Sequence, residues 1–255
     1  MPSAADRSSA RGAGPPSFLY LPALRTLGAR FALEGEDAHY VTRVVRVREA
    51  ERVTASDGAG LVATLRVERV KPDLVLALES SAEVPRPVPA RVLCGAPEGE
   101  RGDWLVEKLA ELGITDLQPV DTERAHWPAG RGDRWERLTV AAMRQSRAAW
   151  RMAVHPAVGL TDAMAAAREG TRWLADPAGE PASGLLPAAD GAAVAAVGPA
   201  SGFTEPERKA LRGCGFTPVS LADRRLRTET AAVATAALWA AARSPAGQDA
   251  AGRGA

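Results

Sequence analysis

Between Val197 and Ala231 the chain repeats one pattern twice: an apolar run of strand length, an abrupt loop, and a helix. Ala192 to Val197 is the first run, and Gly198, Pro199 and Gly202 break it. A helix should follow from Thr204, with Glu205 and Glu207 in its first turn. Thr204 as N-cap with Glu207 three residues on has the form of a capping box. Phe216 to Leu221 is the second run. Its loop carries Arg224 and Arg227, and Thr228 can cap the alanine-rich last helix. Such loops free backbone N–H and C=O groups at strand ends, where open α/β sheets take their ligands. The same segments also read as two ordinary βα turns.

Upstream, the texture divides the chain. From Val88 strand and helix patterns alternate: strands at Val92–Cys94, Ile114–Val120, Val154–Val158 and Trp173–Ala175, and helices at Asp103–Leu112, Arg134–Trp150 and Thr161–Arg168. Leu105, Leu109 and Leu112 fall on one helical face, and Gly113 ends it. This alternation predicts an α/β domain with a parallel sheet covered by helices, spanning 88–243. A Rossmann dinucleotide site is disfavoured, because C-G-A-P-E-G-E after the first strand lacks the G-x-G-x-x-G spacing. The stretch V-P-R-P-V-P marks a boundary. Before it, 18–85 reads as several short strands and one helix, Glu36 to Arg48. Leu61 to Val70 alternates with period two, and Asp57-Gly58 with Gly60 signals a hairpin turn. A small β-barrel is the natural architecture. Residues 1–17 and 244–255 read as flexible tails.

Net charge is +1 over 255 residues, so no global basic field announces a nucleic-acid partner. Arginine is nonetheless concentrated at Arg131, Arg134, Arg137, Arg144, Arg147 and Arg151, and guanidinium suits phosphate. Compositional bias toward Ala, Arg, Gly and Pro accounts for part of this. Cys94 and Cys214 form no C-x-x-C pair, and no run approaches a membrane span of about 20 apolar residues. A reduced cytoplasmic setting is the default. His39, His126 and His155 show no metal-ligand spacing, so no metal is expected. Trp150, among arginines, is the tryptophan to consider for base stacking.

The motifs together resemble one family. G-P-x-x-G-F-T-x-x-E, then G-F-x-x-V-S-L and R-x-L-R-T-E-T-A, are similar to the signature of ribosomal RNA small subunit methyltransferase E. That family belongs to the SPOUT class of trefoil-knot methyltransferases. Lys108, Glu111, Leu112, Gly113, Pro119 and Arg124 match a second family segment, and Gln145-Ser146 a third. H-Y-V-T-R-V-V-R-V and V-T-A-S-D-G resemble its PUA-like RNA-binding domain. The resemblance covers roughly Phe31 to Trp239.

The resemblance implies a C-terminal knot holding S-adenosylmethionine through Val197, Gly198, Pro199, Gly202, Leu221, Leu226 and Arg227. It implies N3 methylation of one uridine of 16S rRNA in the 30S subunit, and a homodimer through the knot domain, whose sequence counterpart is the apolar face of the Thr228 to Ala241 helix with Val233, Ala237 and Leu238; such a helix also reads as packing into its own core. Arg227, Arg224 and Glu229 are the candidate catalytic residues, with Glu229 able to pair with either arginine or simply to favour the helix start. His39, Arg43, Arg46, Arg124, Gln145 and Arg147 are the candidate RNA contacts. The sequence departs from the family at Ala200 and Ser201 (G-P-A-S-G for G-P-E-G-G), at Ala222 for glycine, and at Ala148 for arginine. An RNA-binding paralogue with impaired catalysis, and a SPOUT enzyme acting on another RNA, therefore stay open.

Overall fold

The computed structural model describes residues 17–167 and 170–243. The expected tails, save Ser17, lie outside them, as does Arg168. The chain forms two compact units, one up to Pro85 and one from Arg86.

In the first unit β1 (Phe18–Tyr20), β2 (Arg30–Leu33), β3 (Arg52–Ser56), β4 (Leu61–Arg69) and β5 (Leu74–Glu83) form one sheet in the order β1-β3-β4-β5-β2. β1 runs parallel to β3 and the other pairs are antiparallel. This five-stranded sheet is what the sequence suggested as a barrel. The β3–β4 turn is held by Asp57, whose Oδ1 accepts from the N–H groups of Ala59 (2.7 Å) and Leu61 (3.0 Å). Arg25 pairs with the other carboxylate oxygen at 2.6 Å. Leu19, Val53, Ala55, Leu65, Val67 and Leu76 are buried in the unit's core. The expected Glu36–Arg48 helix is α1 (Gly35–His39) continued by a π-helical turn, Tyr40–Val45, and it stops at Arg46 in the left-handed region.

The second unit carries β6 (Ala90–Gly95), α2 (Arg101–Glu111), β7 (Asp116–Asp121), α3 (Gly132–Ser146), the two-residue strands β8 (Ala153–Val154) and β9 (Val158–Gly159), and α4 (Leu160–Ala165). Then come β10 (Thr171–Pro181), β11 (Ala193–Val197), α5 (Glu205–Gly213), β12 (Thr217–Ser220) and α6 (Thr228–Arg243). The sheet order is β12-β10-β11-β6-β7-β8, with β9 also on β7, and every pair is parallel.

Side chains on a strand alternate between faces, and here both faces are covered. Val92 and Cys94 of β6, with Ala195 and Val197 of β11, share a core with Leu105 and Leu109 of α2, Trp135 of α3, and Ala236 and Trp239 of α6. Leu93, Val194 and Ala196, one residue out of phase, join Leu160 and Met164 of α4 and Leu211 of α5 on the other side. Full burial of one such leucine is worth about 2 kcal/mol, so this two-sided core holds the strand ends in place.

Three expectations change. α3 ends at Ser146 rather than Trp150, because Arg147 takes φ 56° and closes the helix with its N–H on the Met143 carbonyl. β10 is much longer than Trp173–Ala175, and its register on β12 shifts between Ala175 and Glu180, so Asp176 to Gly179 bulge from the strand. The arginine concentration on α3 is also partly neutralised within the unit. Arg131 lies 3.6 Å from Asp103, Arg134 pairs with that same carboxylate, and Arg151 lies 3.1 Å from Glu136.

Candidate cofactor and RNA site

Three adjacent strands, β11, β10 and β12, end at one side of the sheet, and the segments leaving them surround a cavity of about 370 Å³. From β11 come Val197, Gly198, Pro199 and Gly202; from β12 come Leu221, Arg224, Leu226 and Arg227; Glu229 follows on α6. The two loops singled out in the sequence are thus neighbours only because β10 lies between their strands.

The β11 loop is shaped by backbone demands. Pro199 C=O accepts from Gly202 N–H at 2.8 Å, and Gly202 turns with φ +74°, a conformation glycine adopts without strain. At Gly198 a Cβ would lie 3.1 Å from the Phe203 nitrogen and 3.2 Å from its ring, so glycine lets the loop fold back closely on itself. α5 then starts as expected. Glu207 N–H donates to Thr204 Oγ1 and Thr204 N–H donates to Glu207 Oε2 at 2.7 Å, a complete capping box.

Thr228 differs from its expected role. Instead of capping its own helix, its Oγ1 donates to the Gly198 carbonyl at 2.9 Å. Glu229 pairs with neither Arg224 nor Arg227. It is buried, and Arg101 Nη1 at the start of α2 donates to its Oε1 at 2.7 Å. Arg224 stands in solvent with Asp223 at 3.9 Å, and Arg225 Nη2 donates to the Ala200 carbonyl at 3.3 Å. Cys94, beneath this site, has its thiol pushed far up by burial and then by the Glu229 charge, so it is no nucleophile.

The sequence did not point to Glu98 and Arg101 after β6, nor to Leu174 and Asp176 at the end of β10, nor to Arg208 of α5, all of which line the cavity. Asp176 Oδ1 accepts from Ala178 N–H at 2.9 Å, which orients the bulge. No local motif marks these residues; only the strand order brings them in.

The cavity suits a nucleoside cofactor. Leu174, Val197, Leu221 and Leu226 provide apolar walls for a ring, Gly198 and Gly202 line it beside them, and carboxylates and guanidinium groups are both at hand. A zwitterionic amino-acid tail on a cationic sulfonium needs such mixed polarity.

The candidate RNA contacts are not in this cavity. His39, Arg43 and Arg46 lie exposed on α1 and the turn after it in the first unit. Arg124, Gln145 and Arg147 are exposed on the second unit, after β7 and at the end of α3. Trp150 is half-buried, with the Arg86 guanidinium 5.8 Å from its ring centre. Among the described residues no group of three His, Cys, Asp or Glu side chains could hold a metal ion, and no helix is long and apolar enough to cross a membrane.

Fold, cavity and the family models together define an RNA methyltransferase. The RNA methyltransferase domain model matches residues 84–240, and the RNA methyltransferase PUA domain model matches 33–79. The chain belongs to the ribosomal RNA small subunit methyltransferase E family. It is 30% identical to that enzyme of Synechocystis over 80% of this chain and 70% of the relative, and 28% identical to that of Mycobacterium bovis over 84% and 87%. A Neisseria gonorrhoeae family structure bound to S-adenosylmethionine superposes with a TM-score of 0.75 at 28% identity, covering 88% of this chain and 96% of the other. A Legionella pneumophila chain solved with the same cofactor gives 0.77 at 26% identity, over 90% and 98%.

Proposed function

We propose that this chain is an S-adenosylmethionine-dependent rRNA methyltransferase that methylates N3 of one uridine of 16S rRNA in the 30S subunit. The observation that supports it best is the convergence of the Gly198–Gly202 and Leu221–Arg227 loops on one cavity. Bound there, the cofactor supplies an electrophilic methyl group on a sulfonium. The uridine N3–H bond breaks with its proton passing to solvent, N3 bonds the methyl carbon, and the S–CH3 electron pair stays on sulfur.

The residues do the rest by position. Val197, Gly198, Pro199, Gly202, Leu221, Leu226 and Arg227 hold the cofactor, largely through backbone. Arg227 and Arg224 add positive charge where the RNA enters, which favours the imide anion over the neutral base. Glu229 is the charged group at the cavity's buried side. In-line placement of N3 and methyl supplies much of the rate gain.

His39, Arg43, Arg46, Arg124, Gln145 and Arg147 are the proposed RNA contacts, spread over a PUA-like domain (18–85) and a methyltransferase domain (88–243). A threaded knot near the C-terminus, cytoplasmic location, and a homodimer are part of the same reading. Val233, Ala237 and Leu238 of α6 keep some exposure where Ala232, Ala236 and Trp239 are buried, which supports the dimer.

The test is methyl transfer from labelled cofactor to 30S subunits lacking the modification, followed by nucleoside analysis. Label in 3-methyluridine supports the proposal; label in another nucleoside, or none, contradicts it.

A further inference from the structure

Five arginines line the cavity: Arg101, Arg208, Arg224, Arg225 and Arg227. Their settings differ. Arg208 is held by Glu205 and by the Phe203 carbonyl, Arg225 reaches the Ala200 carbonyl, and Arg224 is in solvent. Arg101 alone among them is tied to a buried carboxylate. Its Nη1 lies 2.7 Å from Glu229 Oε1, with side-chain exposures of 41% for Arg101 and 8% for Glu229. The pair joins residues 128 apart, at the first turns of α2 and α6, so two helix N-termini converge there.

A cation anchored from below, its remaining N–H groups without another partner among the described residues, is preorganised for an anion on the cavity side. We propose that Arg101 is a catalytic residue that hydrogen-bonds the target nucleobase as its imide becomes anionic, and that Glu229 is the positioning residue that fixes the guanidinium rather than the base that takes the proton. This rests on the reading of the chain as an rRNA uridine methyltransferase. As the imide ionises, charge spreads onto the carbonyl oxygens flanking N3, and a fixed guanidinium N–H donating to one of them stabilises it while leaving N3 open to the methyl group. The other charged groups lining the cavity with the pair are Glu98, Asp176, Arg208, Arg224, Arg225 and Arg227, and the neutral thiol of buried Cys94 lies close enough to feel the Glu229 charge.

The experiment compares wild type with Arg101→Gln, Arg101→Lys, Glu229→Gln and the double variant Arg101→Gln/Glu229→Gln. Cofactor affinity is read by calorimetric titration, methyl transfer to 30S subunits by single-turnover rates from pH 6.5 to 9.5, and folding by thermal melting. Arg101→Gln should lower the neutral-pH rate by about 10²- to 10³-fold, with cofactor affinity within roughly threefold. Because removing one partner strands a buried charge, the double variant supplies a neutral pair that folds and should be as slow as Arg101→Gln. Arg101→Lys should recover part of the rate. The defect should shrink as rising pH ionises the base without help.

Cofactor affinity that falls in step with rate would overturn the proposal, because the pair would then serve the cofactor. So would a defect of equal size at every pH, an unchanged rate in Arg101→Gln or the double variant, or a Glu229→Gln rate loss that persists while Arg101→Gln is fast. A wild-type protein that binds cofactor yet transfers no methyl to 30S subunits overturns the functional reading itself, and this inference with it.

Discussion

The Thr228 hydroxyl donates to the Gly198 carbonyl at 2.9 Å, across 30 residues of chain. It ties the start of α6, which follows the second cavity loop, to the first cavity loop. Thr228→Val keeps the shape and removes the donor, leaving the Gly198 carbonyl short of a partner. Loss of one such bond costs about 1 kcal/mol, so cofactor affinity should fall roughly fivefold with the fold intact. Titration calorimetry with circular dichroism checks this; unchanged affinity would remove the tie from the account.

The capping box makes a prediction of stability alone. Thr204→Ala removes the side-chain acceptor for the Glu207 N–H and should cost about 1 kcal/mol. For a chain of this size that lowers the melting temperature by about 2–4 °C. Since Thr204 itself does not line the cavity, cofactor affinity at 25 °C should stay within error.

How much of this was readable in advance depended on range. The capping box at Thr204, the β3–β4 turn at Asp57 and the glycine-broken loop after Val197 rest on interactions within a few residues, and they stand where the local signals placed them. The end of α3 did not, because Arg147 adopts a left-handed conformation that no glycine or asparagine announces. The Arg101–Glu229 pair, the Thr228–Gly198 bond and the Asp176 bulge depend on which strands are neighbours. β6 and β10 both flank β11, and nothing in linear order says so. The family resemblance supplied the two loops together; only the sheet supplied Arg101.

Acid stability should carry the signature of Asp116. Burial works against its charge, but hydrogen bonds from His155 (2.9 Å) and Thr115 (2.7 Å), with Arg91 nearby, hold the carboxyl below the usual aspartate range. A depressed folded-state value stabilises above the unfolded value and is lost as pH falls through the folded one. Asp116→Asn should therefore be less stable than wild type at pH 7, with the difference closing between about pH 5 and 2. Urea midpoints across that range measure it, and a difference constant with pH would contradict the assignment.

Salt separates the proposed RNA contacts from the proposed cofactor site. His39, Arg43 and Arg46 lie in the first unit, and the cavity lies in the second. Arg43→Gln with Arg46→Gln should weaken binding to 30S subunits and reduce the log–log salt slope by about 1 for each phosphate no longer neutralised. Cofactor titrations should be unaffected. An unchanged slope would move the RNA surface elsewhere.

Calorimetric titration of wild type and Gly198→Val with S-adenosylmethionine tests most directly whether the two loops hold that cofactor for transfer to rRNA. A valine here crowds the Phe203 backbone and ring from the Cβ outward and displaces the loop. Wild type should bind saturably at one site and Gly198→Val should lose at least about tenfold in affinity, with both proteins equally folded by circular dichroism. Equal affinity of the two proteins, or no saturation by wild type at millimolar cofactor even with 30S subunits present, would contradict that role for the loops.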